Sequence, residues 1–418
     1  MTERSRILGL LLFATVVSTL CHADEIMVPT TSGEELTAER FAADGRYLVI
    51  WFAPEFGFRD NHRALAAKLA ERGIEVWMSN IPESLFLPNG TEAIRQLDGS
   101  YAADIMESAH SRAGKKIAVV GNSYGAVVAL LGARTWQQRR QDDPALVGAI
   151  LFSPYTYASI PPLGELPRYL PIVSASNIPI MIYQTSGSGI FTQFPTLLEK
   201  LQQHGNPVYT QVIPGIMSLF YQHPPTPEMS EQLARLPSSI ERMLTLLDGH
   251  SLAATAVTLD EEVSVESGID VALKTFRASI KPVPIDLPDT TGSRVVRADY
   301  AGRVTLVNFW ATWCPPCVEE IPSLNRLRLK MADLPFELIS ANYAENDSDI
   351  RSFLESVKVD FPVLLDHDGE FARQWNVISY PSTFVIDPKG TIRYGVNAAI
   401  HWDDPAVIAA LRALLDEP

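Results

Sequence analysis

Cysteine is scarce, with three in 418 residues: Cys21, Cys314 and Cys317. That is too few for a disulfide-stapled scaffold or a four-cysteine zinc cluster. Positive charge is also short, with 34 Lys and Arg against 49 Asp and Glu and a formal net charge of −15. A nucleic-acid phosphate surface or an anionic membrane face needs a basic footprint, so neither is expected as a partner. No apolar run reaches the ~20 residues of a membrane-spanning helix, and neither an internal repeat nor a low-complexity tract occurs. What is present is length and 46% hydrophobic residues, enough for two globular domains.

The N-terminus carries Arg4 and Arg6, then 14 apolar and small residues from Ile7 to Leu20, then Cys21-His22-Ala23 before Asp24-Glu25. A basic start, a short apolar stretch and small residues at −3 and −1 read as a secretory signal, residues 1–23, cleaved after Ala23. The mature protein is then expected to be periplasmic or secreted, free of the membrane, with Cys314 and Cys317 as its only thiols in an oxidising compartment.

The fold class expected is α/β, in two blocks. Tyr47–Pro54, Ile74–Asn80, Lys116–Val120, Gly148–Ser153, Ile180–Gln184 and Val208–Ile213 read as buried strands, with helices at Asn61–Arg72 and Ala126–Arg134 between them. Such alternation implies a mostly parallel, doubly wound sheet covered on both faces. Twelve of the 30 prolines lie from Pro154 to Pro227, so the later connections are expected to be long and irregular. The expected division is a first domain over 24–247, an acidic linker over 248–280 with a helix at Gly268–Ser279, and a second domain over 281–418.

In the second block the apolar strand Val304–Trp310 runs through Ala311-Thr312-Trp313 into Cys314-Pro315-Pro316-Cys317, and a helical stretch follows to Lys330. This order puts Cys314 at a helix N-terminus, where unpaired N–H groups and the macrodipole favour a thiolate. Cys317 then sits below it as the resolving thiol. Pro316 fixes the turn without removing a needed donor. Glu320, three residues on, shares the face of Cys317 and would have its carboxyl raised by burial. Downstream, Tyr380-Pro381-Ser382-Thr383 places a proline at a strand start, a setting where cis peptides occur. A structural disulfide or half a zinc site is the alternative, but no second pair of ligands lies nearby, and no metal or cofactor is expected.

Trp310 to Cys317, Glu320, Pro322 and Tyr380 to Thr383, with Leu287-Pro288-Asp289 and Asp387-Pro388-Lys389-Gly390, resemble the extracytoplasmic thioredoxin-like reductases of the TlpA/ResA type. The resemblance covers 281–418. It implies a thioredoxin fold, with Cys314 as nucleophile, Cys317 as resolving thiol, Glu320 as cavity acid and Pro381 as a cis-proline facing the pair. It also implies extracytoplasmic protein thiols and disulfides as partners, an upstream electron donor, and a link to cytochrome c maturation.

The first block has its own motif. Lys116–Val120 leads into Gly121-Asn122-Ser123-Tyr124-Gly125, a G-x-S-x-G at a strand–helix junction. Residues 40–247 resemble the α/β-hydrolase fold, which implies Ser123 as nucleophile. Its oxyanion donors would be the N–H of Tyr124 and one from near Glu55 or Phe56. The rest of a triad departs from the pattern. Thr185-Ser186-Gly187 stands where an acid belongs and Pro214-Gly215 where a histidine belongs, leaving His223 as the candidate base and Glu228 as its nearest acid. Without a base, Ser123 is an ordinary hydroxyl. Two readings stay open for this block, a degenerate binding module and a serine esterase with an appended redox domain. His62 and His110 read as surface or packing residues, His367 as part of a turn, and Trp51, Trp77 and Trp136 as core.

Overall fold

The computed structural model describes residues 23–141, 143–163, 165–221, 225–253, 255–259, 273–277 and 281–417. The expected signal, but for its last residue Ala23, and the candidate base His223 lie outside the described residues. Among the described residues no helix is long and apolar enough to cross a membrane.

The first block is an eight-stranded sheet of β1 (Asp24–Pro29), β2 (Glu35–Phe41), β3 (Tyr47–Phe52), β4 (Glu75–Ser79), β5 (Lys116–Asn122), β6 (Leu146–Phe152), β7 (Ile180–Thr185) and β8 (Val208–Ile213). Its strand order is β1-β2-β4-β3-β5-β6-β7-β8. The six strands from β4 to β8 in that order pair in parallel. β1 and β2 add an antiparallel edge, which the apolar runs do not reveal. The parallel strands are apolar almost throughout because helices cover both faces, and a separate core cluster lies on each face. Trp51, Trp77 and Trp136 sit in these cores, as expected. A 22-residue helix, Pro227–Asp248, closes the block, with Thr226 accepting from the N–H of Met229 as its cap.

In the expected linker, β9 (Lys274–Thr275) is extended and pairs with the edge of the second sheet. The helix expected at Gly268–Ser279 is therefore corrected over 273–277; its other residues lie outside the described set. The reason is tertiary: a short segment gains ladder hydrogen bonds on an open edge that an isolated helical turn lacks. A hairpin of β10 (Asp286–Pro288) and β11 (Arg294–Val296) precedes the second sheet. That sheet comprises β9, β12 (Val304–Trp310), β13 (Phe336–Tyr343), β14 (Val363–Asp366), β15 (Ser382–Ile386) and β16 (Ile392–Val396), in the order β14-β13-β12-β15-β16-β9. β12 is central, parallel to β13 and antiparallel to β15. The α/β class and the thioredoxin-like second sheet are as expected.

The blocks meet over a seam. Tyr155 donates its hydroxyl to the carbonyl of Ile378 at 2.6 Å, Tyr343 donates to Gly187 at 3.0 Å, and Asn397 donates to Pro161 at 2.7 Å. Leu163 and Met217 of the first block join the core cluster beneath the second sheet. Gly189 packs so closely that a Cβ there would lie 2.3 Å from the carbonyl oxygen of Val377.

Candidate redox site and its cover

Cys314 is the N-cap of the helix Pro315–Lys330, and its Sγ accepts the N–H of Cys317 at 3.3 Å. The two sulfurs form a disulfide. Pro315 and Pro316 occupy first-turn positions whose N–H groups would have no helical acceptor. The loop before the pair is braced by Glu345, which accepts from the N–H of Thr312 at 2.7 Å, from its hydroxyl, and from Asn342 at 2.8 Å. Burial pushes the Glu345 carboxyl up against those bonds.

Glu320, one turn beyond Cys317, is 2% exposed. Its oxygens accept from Asn308 Nδ2 at 2.8 Å and Trp402 Nε1 at 3.0 Å. Burial raises the carboxyl from its usual 4.5 to about 7, and the two donors only partly oppose it. The folded state thus holds this proton more tightly than the unfolded chain. Stability from Glu320 falls as pH rises from about 4.5 to about 7, by about 3 kcal/mol. Urea unfolding of wild type and Glu320→Gln is expected to diverge across that window and run parallel above it. A difference that does not change with pH would remove the linkage.

The Tyr380–Pro381 peptide is cis, as expected for Pro381. Tyr380 stacks on Tyr343 with ring centroids 4.3 Å apart and meets Trp313 edge-on.

The serine motif adopts the geometry its glycines imply. Ser123 has φ of 52°, a left-handed backbone at a strand–helix turn. A Cβ on Gly121 would lie 2.3 Å from the Gly125 carbonyl oxygen, and one on Gly125 would lie 2.6 Å from that of Phe52. The sequence placed an oxyanion N–H near Glu55 or Phe56 but did not reveal the Glu55 carboxylate as a partner of Ser123. Ser123 donates its hydroxyl to Glu55 Oε1 at 2.8 Å, and the Tyr124 N–H points at Oε2 at 3.4 Å. The expected oxyanion donor thus faces a side-chain carboxylate of the protein itself. Burial raises the Glu55 carboxyl. Glu228 sits exposed in the first turn of Pro227–Asp248 and is not part of this cluster. His62 is wholly buried, takes the Arg59 N–H on Nδ1 and pairs Nε2 with Asn122; burial drops it to about 3, so it is a neutral packing residue.

The two motifs open on one space. A cavity of about 160 Å³ is lined by Glu55, Ser123 and Tyr221 on one side and by Trp313, Cys314 and Tyr380 on the other. Tyr221 stacks on Trp313 at 5.8 Å. Cys314 and Cys317 are each only 1% exposed and pack in the core cluster of the second block, and the first block walls the cavity beside Cys314. No group of three or more metal-ligating side chains occurs among the described residues.

A disulfide at a helix start on a thioredoxin-type sheet defines a thioredoxin-like protein. Residues 281–395 match the model of the AhpC/TSA family. The chain is 34% identical over 104 residues to the thiol-disulfide oxidoreductase ResA of Bacillus thuringiensis subsp. konkukian, covering 25% of this chain and 60% of the relative. It is 34% identical over 110 residues to the thioredoxin-like protein YneN of Bacillus subtilis, 26% and 64% of the two chains. With ResA of Geobacillus kaustophilus it shares 30% identity over 118 residues, 28% of this chain and 68% of the relative. Among solved structures, a thiol:disulfide interchange protein DsbE from Chlorobium tepidum aligns at 28% identity with a TM-score of 0.31, over 34% of this chain and 99% of that one. The chain belongs, through its C-terminal domain, to the ResA-type thioredoxin-like family. It spans about three fifths of the length of the first curated relatives it matches.

Proposed function

We propose that this chain is an exported thiol–disulfide oxidoreductase, acting as a net reductant of extracytoplasmic protein disulfides through Cys314 and Cys317. The observation that carries the reading is Cys314 at the helix start, accepting the Cys317 N–H, with the buried acid Glu320 one turn behind. In the reduced pair, the Cys314 thiolate attacks a substrate disulfide and expels one substrate thiolate. The Cys317 thiolate then attacks the Cys314 sulfur and expels the second. Two electrons pass to the substrate, the pair ends as a disulfide, and an upstream dithiol donor reduces it again. Glu320 takes the Cys317 proton as that thiol becomes a nucleophile. Pro381 shapes the wall beside Cys314. The division into a first domain over 24–247, a linker over 248–280 and a redox domain over 281–418 belongs to the same proposal, as does a periplasmic or secreted location. The first block is the cover over the pair.

The serine-esterase reading rests on one observation, the strained elbow at Ser123. Against it, the Glu55 carboxyl beside Ser123 faces the Tyr124 N–H, the position a substrate oxyanion would have to take. One preparation tests both. Redox titration with thiol trapping is expected to show a single reversible two-electron couple, while a fluorophosphonate probe leaves Ser123 unlabelled. A pair that dithiothreitol cannot reduce under native conditions overturns the redox reading, and labelling lost in Ser123→Ala restores the esterase.

A further inference from the structure

The cavity beside Cys314 has a first-block wall that thiol–disulfide exchange itself does not require. At about 160 Å³ it is a space for a small molecule, too small for a folded protein loop. Cys314 lines it from the second block, and Glu55, Ser123 and Tyr155 line it from the first. The hydrogen bonds from Tyr155 to Ile378 and from Tyr343 to Gly187 hold these walls together, and both tyrosines line the space as well. A protein disulfide therefore reaches Cys314 only when the seam parts. A small disulfide needs no such opening.

Aromatic rings and hydroxyl groups make up most of the lining, and Glu55 is its one carboxylate. Among the described residues no Lys, Arg or His lines the cavity. Ser123 donates to Glu55 Oε1 at 2.8 Å and the Tyr124 N–H points at Oε2 at 3.4 Å, so each oxygen has one donor and keeps a second acceptor position. A carboxylate held between two domains without a cation is costly, and burial raises its hold on a proton accordingly. A ligand ammonium would supply the missing counter-charge and donate to the open acceptor positions. A ligand carboxylate would meet Glu55 with no cation to offset the repulsion.

We propose that the closed cavity is a binding site for small amine-bearing disulfides, with Glu55 holding the ammonium and Cys314 receiving the sulfur. This rests on the redox reading of Cys314 and Cys317 and adds to it a second substrate class, taken without opening the seam. The Cys314 thiolate attacks one ligand sulfur, a Cys314–ligand disulfide forms, and one amino-thiolate leaves. The Cys317 thiolate, its proton passed to Glu320, then attacks the Cys314 sulfur and expels the second amino-thiolate. Two electrons pass from the pair to the ligand, and water protonates the released thiolates. Ser123 is then a positioning residue: the left-handed elbow, with φ of 52°, presents the hydroxyl that fixes the Glu55 carboxylate.

The test oxidises the reduced full chain with three small symmetric disulfides: cystamine with two amines, bis(2-hydroxyethyl) disulfide with no charge, and dithiodiglycolate with two carboxylates. Alkylation and mass spectrometry time the loss of thiols. Each rate is divided by that of 2-mercaptoethanol with the same disulfide, which removes intrinsic reactivity. Cystamine is then expected to react about tenfold faster than the uncharged disulfide, and dithiodiglycolate about tenfold slower. Glu55→Gln is expected to bring the cystamine preference to about one, and Ser123→Ala to lower it about threefold. The net charge of −15 acts on the probes in wild type and variant alike, so the change on substitution isolates the site. Where Glu55→Gln does not fold, oxidised wild type decides: in calorimetry it is expected to bind 2-(methylthio)ethylamine, which cannot exchange, and not 2-(methylthio)ethanol. The proposal is overturned if the corrected rates are equal, if folded Glu55→Gln keeps the amine preference, or if the two methylthio ligands bind alike. If the amine binds but none of the disulfides oxidises the chain, the redox reading falls and the amine site stands.

Discussion

In the full chain, Cys317→Ser is expected to accumulate a mixed disulfide at Cys314, and Cys314→Ser to form none. Both variants are expected to lose turnover by at least about three orders of magnitude, because attack and resolution act as one unit. The asymmetry of the adducts is the informative part. Once a hydroxyl replaces the resolving thiol, the first exchange still occurs at the helix N-cap, and nothing expels the partner. Without Cys314, the remaining thiol lies a turn deeper and has no route to a substrate. Non-reducing electrophoresis and mass spectrometry of the trapped species read the result. Equal trapping by both variants would mean that either sulfur can attack, and the assignment of Cys314 as nucleophile would fall. Total loss of trapping in Cys317→Ser, with the variant folded, would remove the exchange mechanism.

Gly189→Val is expected to raise the alkylation rate of Cys314 in the reduced protein by at least about tenfold. The physical reason is contact distance: the added Cβ would stand 2.3 Å from the Val377 carbonyl oxygen, far inside van der Waals contact, so the seam must part. The three largest core clusters each lie within one block, so the strain is relieved across the seam, at the expense of the shared contacts of Leu163, Met217 and Ile190. A gentler version removes hydroxyls instead of adding bulk. Tyr155→Phe with Tyr343→Phe deletes two hydrogen bonds across the seam. At about 1 kcal/mol each, the pair is expected to raise the open population roughly thirtyfold. Mass spectrometry of iodoacetamide adducts over time follows both. Rates equal to wild type in both cases would mean that Cys314 is reached without the cover moving.

The redox pair was legible because its chemistry is local. A strand, a two-residue turn and a helix start are fixed by neighbours in sequence, so the spacing from Cys314 to Cys317 and Glu320 carries the geometry directly. The same holds for the serine elbow, where Gly121 and Gly125 are needed by contacts within one turn and the adjoining strand. The six parallel strands of the first sheet and β12 of the second followed from apolar runs, and β15 from the proline that opens it, while the edge pair β1–β2 and β9, β13, β14 and β16 were not read. Edge strands are half-exposed or brief, and their pairing comes from the neighbour they join.

What lay beyond the sequence is everything that depends on contacts between distant segments. Glu55 stands in a turn after β3, and nothing in Pro54-Glu55-Phe56 says that its carboxylate meets a serine 68 residues on. Tyr155 and Ile378 are 223 residues apart, and their bond helps to hold one domain over the other's disulfide. The count of three cysteines and the C-x-x-C spacing determined the chemistry, since thiolate stabilisation at a helix start is a property of a few consecutive residues. Access to that chemistry was decided by the tertiary structure alone. Burial is a sum over all neighbours in space: the core of the second block packs around Cys314, and loops from the first block wall the cavity beside it.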